Sequence, residues 1–278
     1  MSSMLKLSAI ALLLSSLLNA SSEDTKVVDF LKKSFSNNPN IVKMDISIAD
    51  KSKIDSMNGW NAYIIKVNAT IKAPDGQKDI TQKMVYFSNG TYVTQDFVNI
   101  NTNQSLKESV APTFKDSFYS KANLISGNAS SKHKVAIFSD PLCPYCGTYV
   151  PEAIEYMKKN PKLFAIYYYH FPLTSMHPAS VILTKAAIAS EIKGNKNAVL
   201  DLYRVEVNAK ETNPEVILKA FNTRLKTNIK LSDITSAEVT KHYDFGMYVA
   251  DEMMVQGTPS VYFDGKVDKT KMKYKEVE

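Results

Sequence analysis

Asp140-Pro141-Leu142-Cys143-Pro144-Tyr145-Cys146 follows the apolar run Val135-Ala136-Ile137-Phe138 and opens a helical segment from Gly147 to Lys159, so its reading decides the fold of the second half of the chain. The sequence contains no other cysteine. Two thiols three positions apart can meet as a disulfide, and a helix N-terminus favours an anionic sulfur at the first of them. Cys143 is therefore the better nucleophile, with Cys146 one turn in. Pro144 suits the first helical position, where its fixed φ fits and an N–H would lack an intrahelical partner. The alternatives are a structural disulfide, which usually closes a longer loop, and a zinc site, which needs two more ligands from a chain with four histidines. The position at a strand-to-helix junction favours a redox dithiol.

With 278 residues, 44% hydrophobic and 22% charged, the chain can fill one large or two ordinary domains. Its net charge of +6 is spread along the chain and densest from Lys266 to Lys275, without the clustering of a nucleic-acid surface, so no nucleic-acid partner is expected. Residues 1–20 read as a secretory signal peptide: Lys6, an apolar stretch from Leu7 to Leu18, and Leu18-Asn19-Ala20 as the cleavage site. A membrane anchor is the alternative, but the apolar run is shorter than the ~20 residues a spanning helix needs. Export to an oxidising compartment gives a single closely spaced cysteine pair the look of a reagent.

Residues 21–104 read as a separate α+β unit. Val27, Val28, Phe30 and Leu31 share one helical face, and the helix should end near Asn37-Asn38-Pro39. Ile65, Val67, Ala69 and Ile71 alternate with Lys66, Asn68, Thr70 and Lys72 as in a half-buried antiparallel strand. Ala73-Pro74-Asp75-Gly76 turns the chain, and a strand through Met84-Val85-Tyr86-Phe87 is expected to meet Thr91-Tyr92-Val93 across Asn89-Gly90. This unit lacks cysteine and histidine, so it is read as a dimerisation or substrate-gathering module, with a plain packing domain as the alternative. Its sequons, such as Asn68-Ala69-Thr70 and Asn89-Gly90-Thr91, are read as chance triplets.

Leu106, Val110, Phe114 and Phe118 recur at roughly helical spacing and predict a linker helix over 105–124, with Pro112 inside it or at its start. Beyond it, Lys134 to Ser139 reads as a central strand, the helix after Cys143 has a buried stripe of Val150, Ile154 and Met157 interrupted by Pro151, and Phe164 to Tyr168 is a second strand. Strand, helix and strand make a right-handed parallel crossover, half of a thioredoxin-like sheet. A helical insertion follows over about 176–253, with Ala179 to Lys193, a helix from Lys196, one capped by Asn213 before Pro214, and one from Ser236. His170 and His177 read as structural or surface residues. Ser260-Val261-Tyr262-Phe263 returns to strand, turns at Asp264-Gly265 and pairs near Lys266-Val267.

The stretch Phe138 to Cys146, taken with Gly257-Thr258-Pro259-Ser260-Val261-Tyr262 and the exported N-terminal unit, resembles the periplasmic disulfide isomerases of the DsbC/DsbG type, DsbG above all. His170-Phe171-Pro172-Leu173 and His177-Pro178-Ala179 look more like a DsbA-type oxidase domain, and the tail from Asp268 is short for a final helix. The resemblance implies a cystatin-like α+β domain at 21–104 that dimerises across a cleft, and a thioredoxin fold over 125–278. It also implies a cis bond before Pro259, with Thr258 and Pro259 as the substrate-binding loop facing the sulfurs. Cys143 becomes the attacking thiol and Cys146 the resolving thiol, with Pro144 and Tyr145 tuning the pair.

The expected activity is thiol-disulfide exchange on exported proteins, as isomerase or reductase, with no cofactor or metal. The expected partners are a second copy of the chain and a membrane redox protein of DsbD or DsbB type. A disulfide oxidase is the alternative, and a dimeric holdase chaperone the second.

Overall fold

The computed structural model describes residues 22–195 and 197–277, so the signal peptide expected at 1–20 lies outside the described residues. The chain divides into two units between Glu108 and Ser109.

In the first unit α1 (Ser22–Ser36) precedes four antiparallel strands in spatial order β1 (Ile41–Lys53), β2 (Asn61–Ala73), β3 (Gly76–Ser88) and β4 (Val93–Thr94). Val27 and Leu31 of α1 bury against Ile46, Tyr63, Ile65, Val67, Ala69 and Tyr86 of the sheet. Phe30, expected on that face, is 50% exposed. The apolar stripe is therefore narrower than the sequence pattern implies, and Phe30 sits on its flank. Along β2 the residues Ile65, Val67 and Ala69 are buried and Lys66, Asn68 and Thr70 only partly so, as the alternation requires.

Pro74 and Asp75 make the β2–β3 turn, with Ala73 paired to Gly76. The next hairpin differs from expectation. Pairing resumes only at Ser88↔Val93, so the loop spans 89–92 and β4 has two residues. The Asn89 side-chain oxygen accepts the N–H groups of Thr91 and Tyr92 at 3.1 and 2.9 Å, and that bonding replaces a two-residue turn. A short pair, β5 (Val98–Asn99) and β6 (Gln104–Ser105), completes the unit.

The linker helix expected over 105–124 is absent. That stretch holds single 3-10 turns at Lys107–Ser109, Asp116–Phe118 and Lys121–Asn123, and the boundary between the units falls inside it. Pro112 lacks an N–H and disfavours helical backbone at Ala111. Phe114 and Phe118 are instead part of the second unit's core, with Phe114 bonded through its N–H to the Gly265 carbonyl at 2.8 Å.

The second unit is built on a five-stranded sheet ordered β11 (Lys266–Val267), β10 (Ser260–Phe263), β8 (His133–Ser139), β9 (Phe164–His170) and β7 (Leu124–Ser126). Strands β8 and β9 are parallel and joined by α2 (Pro144–Lys158); β7 and β10 run antiparallel to their neighbours. The continuous apolar run of β8 is explained by cover on both faces. Val135 and Ile137 pack with Val150, Ile154 and Met157 of α2, whereas Ala136 and Phe138 pack with Phe114, Tyr169 and the residues Val249 and Ala250 of α7 (Ala237–Glu252). Gly127, at φ +76°, turns the chain out of β7. Any Cβ there would lie 2.1 Å from the Phe164 carbonyl oxygen.

Between β9 and β10 stand α3 (Ala179–Ile192), α4 (Ala198–Leu202), α5 (Pro214–Leu225), α6 (Leu231–Ile234) and α7, which form the helical insertion with its own apolar cluster around Leu183, Ile188, Ile217 and Phe221. Asn213 and Ser236 cap α5 and α7 as their sequence positions predict. The tail ends on a 3-10 turn at Lys273–Lys275 whose buried Tyr274 packs against the α2 residues Tyr149 and Tyr156.

Candidate active site

The parallel crossover delivers the two cysteines to the carboxyl end of β8. Cys143 is the N-cap of α2, with extended backbone at φ −75° and ψ 121°, and its carbonyl accepts the first helical bond, from the Gly147 N–H, at 3.0 Å. Pro144 occupies the first turn, and Tyr145 is 80% exposed beside it. Both cysteines are free thiols; Cys143 is slightly exposed and Cys146 fully buried. Burial pushes the Cys146 thiol up to about 11 from an ordinary value of 9.0. The nearby Ser139 and Thr258 hydroxyls and the Asp140 N–H act in the opposite direction, while a charge on Cys143 would push the thiol further up. Cys146 is thus a neutral thiol at neutral pH.

Thr258 and Pro259 face the cysteines, joined by a cis peptide bond. The Cys143 thiol points at the Thr258 carbonyl oxygen, 3.6 Å away. The Thr258 hydroxyl is buried with no hydrogen-bond partner among the described residues, though it favours the ionised form of Cys146.

Asp140 carries a role that its place in the sequence did not disclose. Its carboxylate is fully buried and takes four donors: the N–H of Leu142 at 2.7 Å and of Leu173 at 2.6 Å, the Ser180 hydroxyl at 2.7 Å, and the His177 ring Nδ1 at 3.1 Å. It ties the turn that carries Cys143 to the start of the helical insertion. His177, read as structural, lies in this network. His170 is buried in β9, and among the described residues its ring nitrogens find no hydrogen-bond partner, with a Glu191 oxygen 3.9 Å away. A second network also escaped the sequence reading: Tyr203 donates to the Ser139 hydroxyl at 2.6 Å and lies 2.7 Å from the Tyr168 hydroxyl. An acid directly after a buried strand was a visible signal for Asp140. No local pattern links Ser139 to a tyrosine in the insertion.

Among the described residues no helix is long and apolar enough to cross a membrane. A family profile described as thioredoxin matches residues 119–278. Solved structures similar to the chain include a thioredoxin-like oxidoreductase from Silicibacter pomeroyi, at 22% identity and a TM-score of 0.43 over 58% of this chain and 96% of that one. The catalytic domain of Proteus mirabilis ScsC is similar at 20% identity and 0.44 over 57% and 90%. Oxidised BdbD from Bacillus subtilis is similar at 16% identity and 0.47 over 60% and 93%. No curated protein sequence matches the chain.

Proposed function

Because the chain belongs to the thioredoxin family over residues 119–278, we propose that it is a periplasmic thiol-disulfide oxidoreductase that acts on exported proteins as a disulfide isomerase or reductase. The observation that carries this reading is the asymmetry of the pair: Cys143 stands at the helix end against the Thr258-Pro259 loop, and Cys146 is a fully buried neutral thiol behind it.

The Cys143 thiolate attacks one sulfur of a substrate disulfide, the substrate S–S bond breaks, and its other sulfur leaves as a thiolate that takes up a proton. The resulting mixed disulfide has two exits. In one, the freed substrate thiolate attacks another substrate disulfide, and the thiolate released there attacks the substrate sulfur of the mixed disulfide, so that a rearranged substrate departs and Cys143 leaves as a thiolate; in the other, Cys146 attacks Cys143 and releases a reduced substrate. Thr258 and Pro259 form the substrate-facing loop, and the Thr258 N–H, with no backbone partner among the described residues, is free to pair with an extended peptide. Pro144 and exposed Tyr145 border the reacting sulfur and tune the pair. No cofactor enters the cycle. A membrane redox protein of DsbD type would return the pair to the dithiol.

Two features of the first unit support dimerisation. Among the described residues no strand pairs with the outer edge of β1, or with β3 before Phe87, and a long open edge is a template for a second copy. The DsbC/DsbG-like arrangement, two catalytic arms on a dimeric base, follows from such pairing.

The test is refolding of a scrambled disulfide substrate by the wild-type chain and by Cys143→Ser. Loss of rearrangement in the variant supports the reading, and retained activity identifies a holdase. A Cys143/Cys146 pair that is mostly oxidised in cells identifies an oxidase fed by a DsbB-type partner, the direction to which the DsbA-like segments at His170 and His177 point.

A further inference from the structure

Resolution of the mixed disulfide turns a buried thiol into a nucleophile. Cys146 loses its proton and attacks the Cys143 sulfur. The Cys143–Cys146 bond forms, the bond from Cys143 to the substrate breaks, and the substrate sulfur leaves with the electron pair and takes up one proton. A negative charge therefore passes through the Cys146 sulfur at a point with no solvent exposure, where an uncompensated charge is strongly disfavoured. The Asp140 carboxylate is already committed to four donors elsewhere.

Three hydroxyls converge on this sulfur from separate elements. Tyr168 comes from β9, Tyr203 closes α4 in the helical insertion, and Ser139 ends β8. Tyr203 donates to Ser139 at 2.6 Å, Tyr168 lies 2.7 Å from Tyr203, and both phenol rings pack on the buried cluster that holds Cys146, whose ionised form the Ser139 hydroxyl favours. Each hydroxyl has a single hydrogen. With that of Tyr203 given to Ser139, Tyr168 is left to donate to Tyr203, and Ser139 is left to donate to sulfur. Burial raises both phenols well above their usual range, so they stay neutral donors while Cys146 ionises. The groups that act on the sulfur are Cys143, Ser139, Thr258 and the Asp140 N–H, and Glu191 acts on the chain at its Tyr168 end.

We propose that Tyr168, Tyr203 and Ser139 form a one-directional hydroxyl chain that holds the charge of the Cys146 thiolate during resolution, with Ser139 as its sulfur end and Tyr203 positioning Ser139. The inference rests on the thiol-disulfide reading. It gives the helical insertion a chemical task, because Tyr203 is the insertion's contribution to the site.

The test uses the full chain reduced and mixed with an aromatic disulfide whose thiol is coloured on release. The first release marks formation of the adduct on Cys143, and the second marks its resolution by Cys146. Removing a hydrogen bond that supports an ionised group should slow the second release about tenfold in Tyr203→Phe and at least as much in Ser139→Ala, with the first release unchanged. Between pH 7 and 10 the whole rate profile of the second release should move up by about one pH unit. The Cβ resonance of Cys146, followed by carbon NMR in Cys143→Ser, should titrate later by the same amount when Tyr203→Phe is added. Tyr149→Phe is the control: its phenol packs on the same core cluster but donates to the Lys271 carbonyl at 2.7 Å, outside the chain. Wild-type resolution with an unmoved profile in both Tyr203→Phe and Ser139→Ala overturns the hydroxyl chain and leaves thiol-disulfide exchange standing. Absence of a second release from wild type overturns both.

Discussion

Replacing Asp140 with Asn keeps the shape of the side chain and removes its charge and half of its acceptor capacity. In the wild-type site Oδ1 receives Leu142 and Ser180, and Oδ2 receives Leu173 and the His177 ring. An amide satisfies the first pair through its oxygen, but its NH2 group then meets the Leu173 N–H, a donor facing a donor. Two bonds to a charged acceptor are lost, at about 1.5–3 kcal/mol each, so the second unit should lose about 3–6 kcal/mol. The tie from the turn that carries Cys143 to Leu173 loosens with them. The assay must follow the second unit: Trp60, the only tryptophan in the sequence, lies in the first, so its fluorescence is blind to this change. Labelling of Cys146, which is fully buried in the folded chain, reads opening of the correct unit when pulsed along a urea series. The expected result is a markedly lower midpoint with an unchanged slope. A loss below about 1 kcal/mol, with the Leu173 amide resonance where it was, would refute the claim that this carboxylate locks the active-site turn to the insertion.

Gly127→Ala should destabilise the second unit by more than about 1–3 kcal/mol, because the residue sits at φ +76° and its new Cβ would fall on the Phe164 carbonyl; differential labelling of Cys146 in urea measures it, and a neutral substitution contradicts the strand exit described. The Cys146 thiol titrates higher folded than its ordinary 9.0, so the unfolded chain ionises first as pH rises and stability present below pH 9.0 declines toward about 11. Cys146→Ala should therefore lose less stability than wild type over that window in parallel urea titrations, and identical slopes would show that the thiol is not held neutral by burial. The chain from residue 21 should sediment as a dimer at micromolar concentration through the open edges of β1 and β3; a monomer removes the two-armed arrangement.

Much of the catalytic unit was legible because its signals are local. The apolar run Val135 to Phe138 specifies a strand covered on both faces, Pro144 after Cys143 specifies a helix start, and Asp264-Gly265 specifies the final turn, each through backbone preferences of a few adjacent residues. The strand-helix-strand that carries the thiols follows from these alone. Where local signals misled, a tertiary contact or a single residue prevailed. Phe114 and Phe118 keep helical spacing, yet Pro112 breaks the helix and the sheet claims both rings. Asn89-Gly90 reads as a two-residue turn until the Asn89 side chain takes the loop amides.

The chemistry around the sulfurs was decided elsewhere. Asp140 reaches Ser180, and Ser139 reaches Tyr203 in the insertion, across separations no short-range pattern encodes. Hydrogen-bond satisfaction in a buried site depends on which groups the packed elements bring within 3 Å, and that is a property of the assembled layers. The sequence by itself determined that two thiols would stand at a helix end; only the tertiary structure decided that one of them would be fully buried beside the bonded hydroxyls of Tyr168, Tyr203 and Ser139, because burial and donor geometry exist only once β8, β9, α2 and α4 have met.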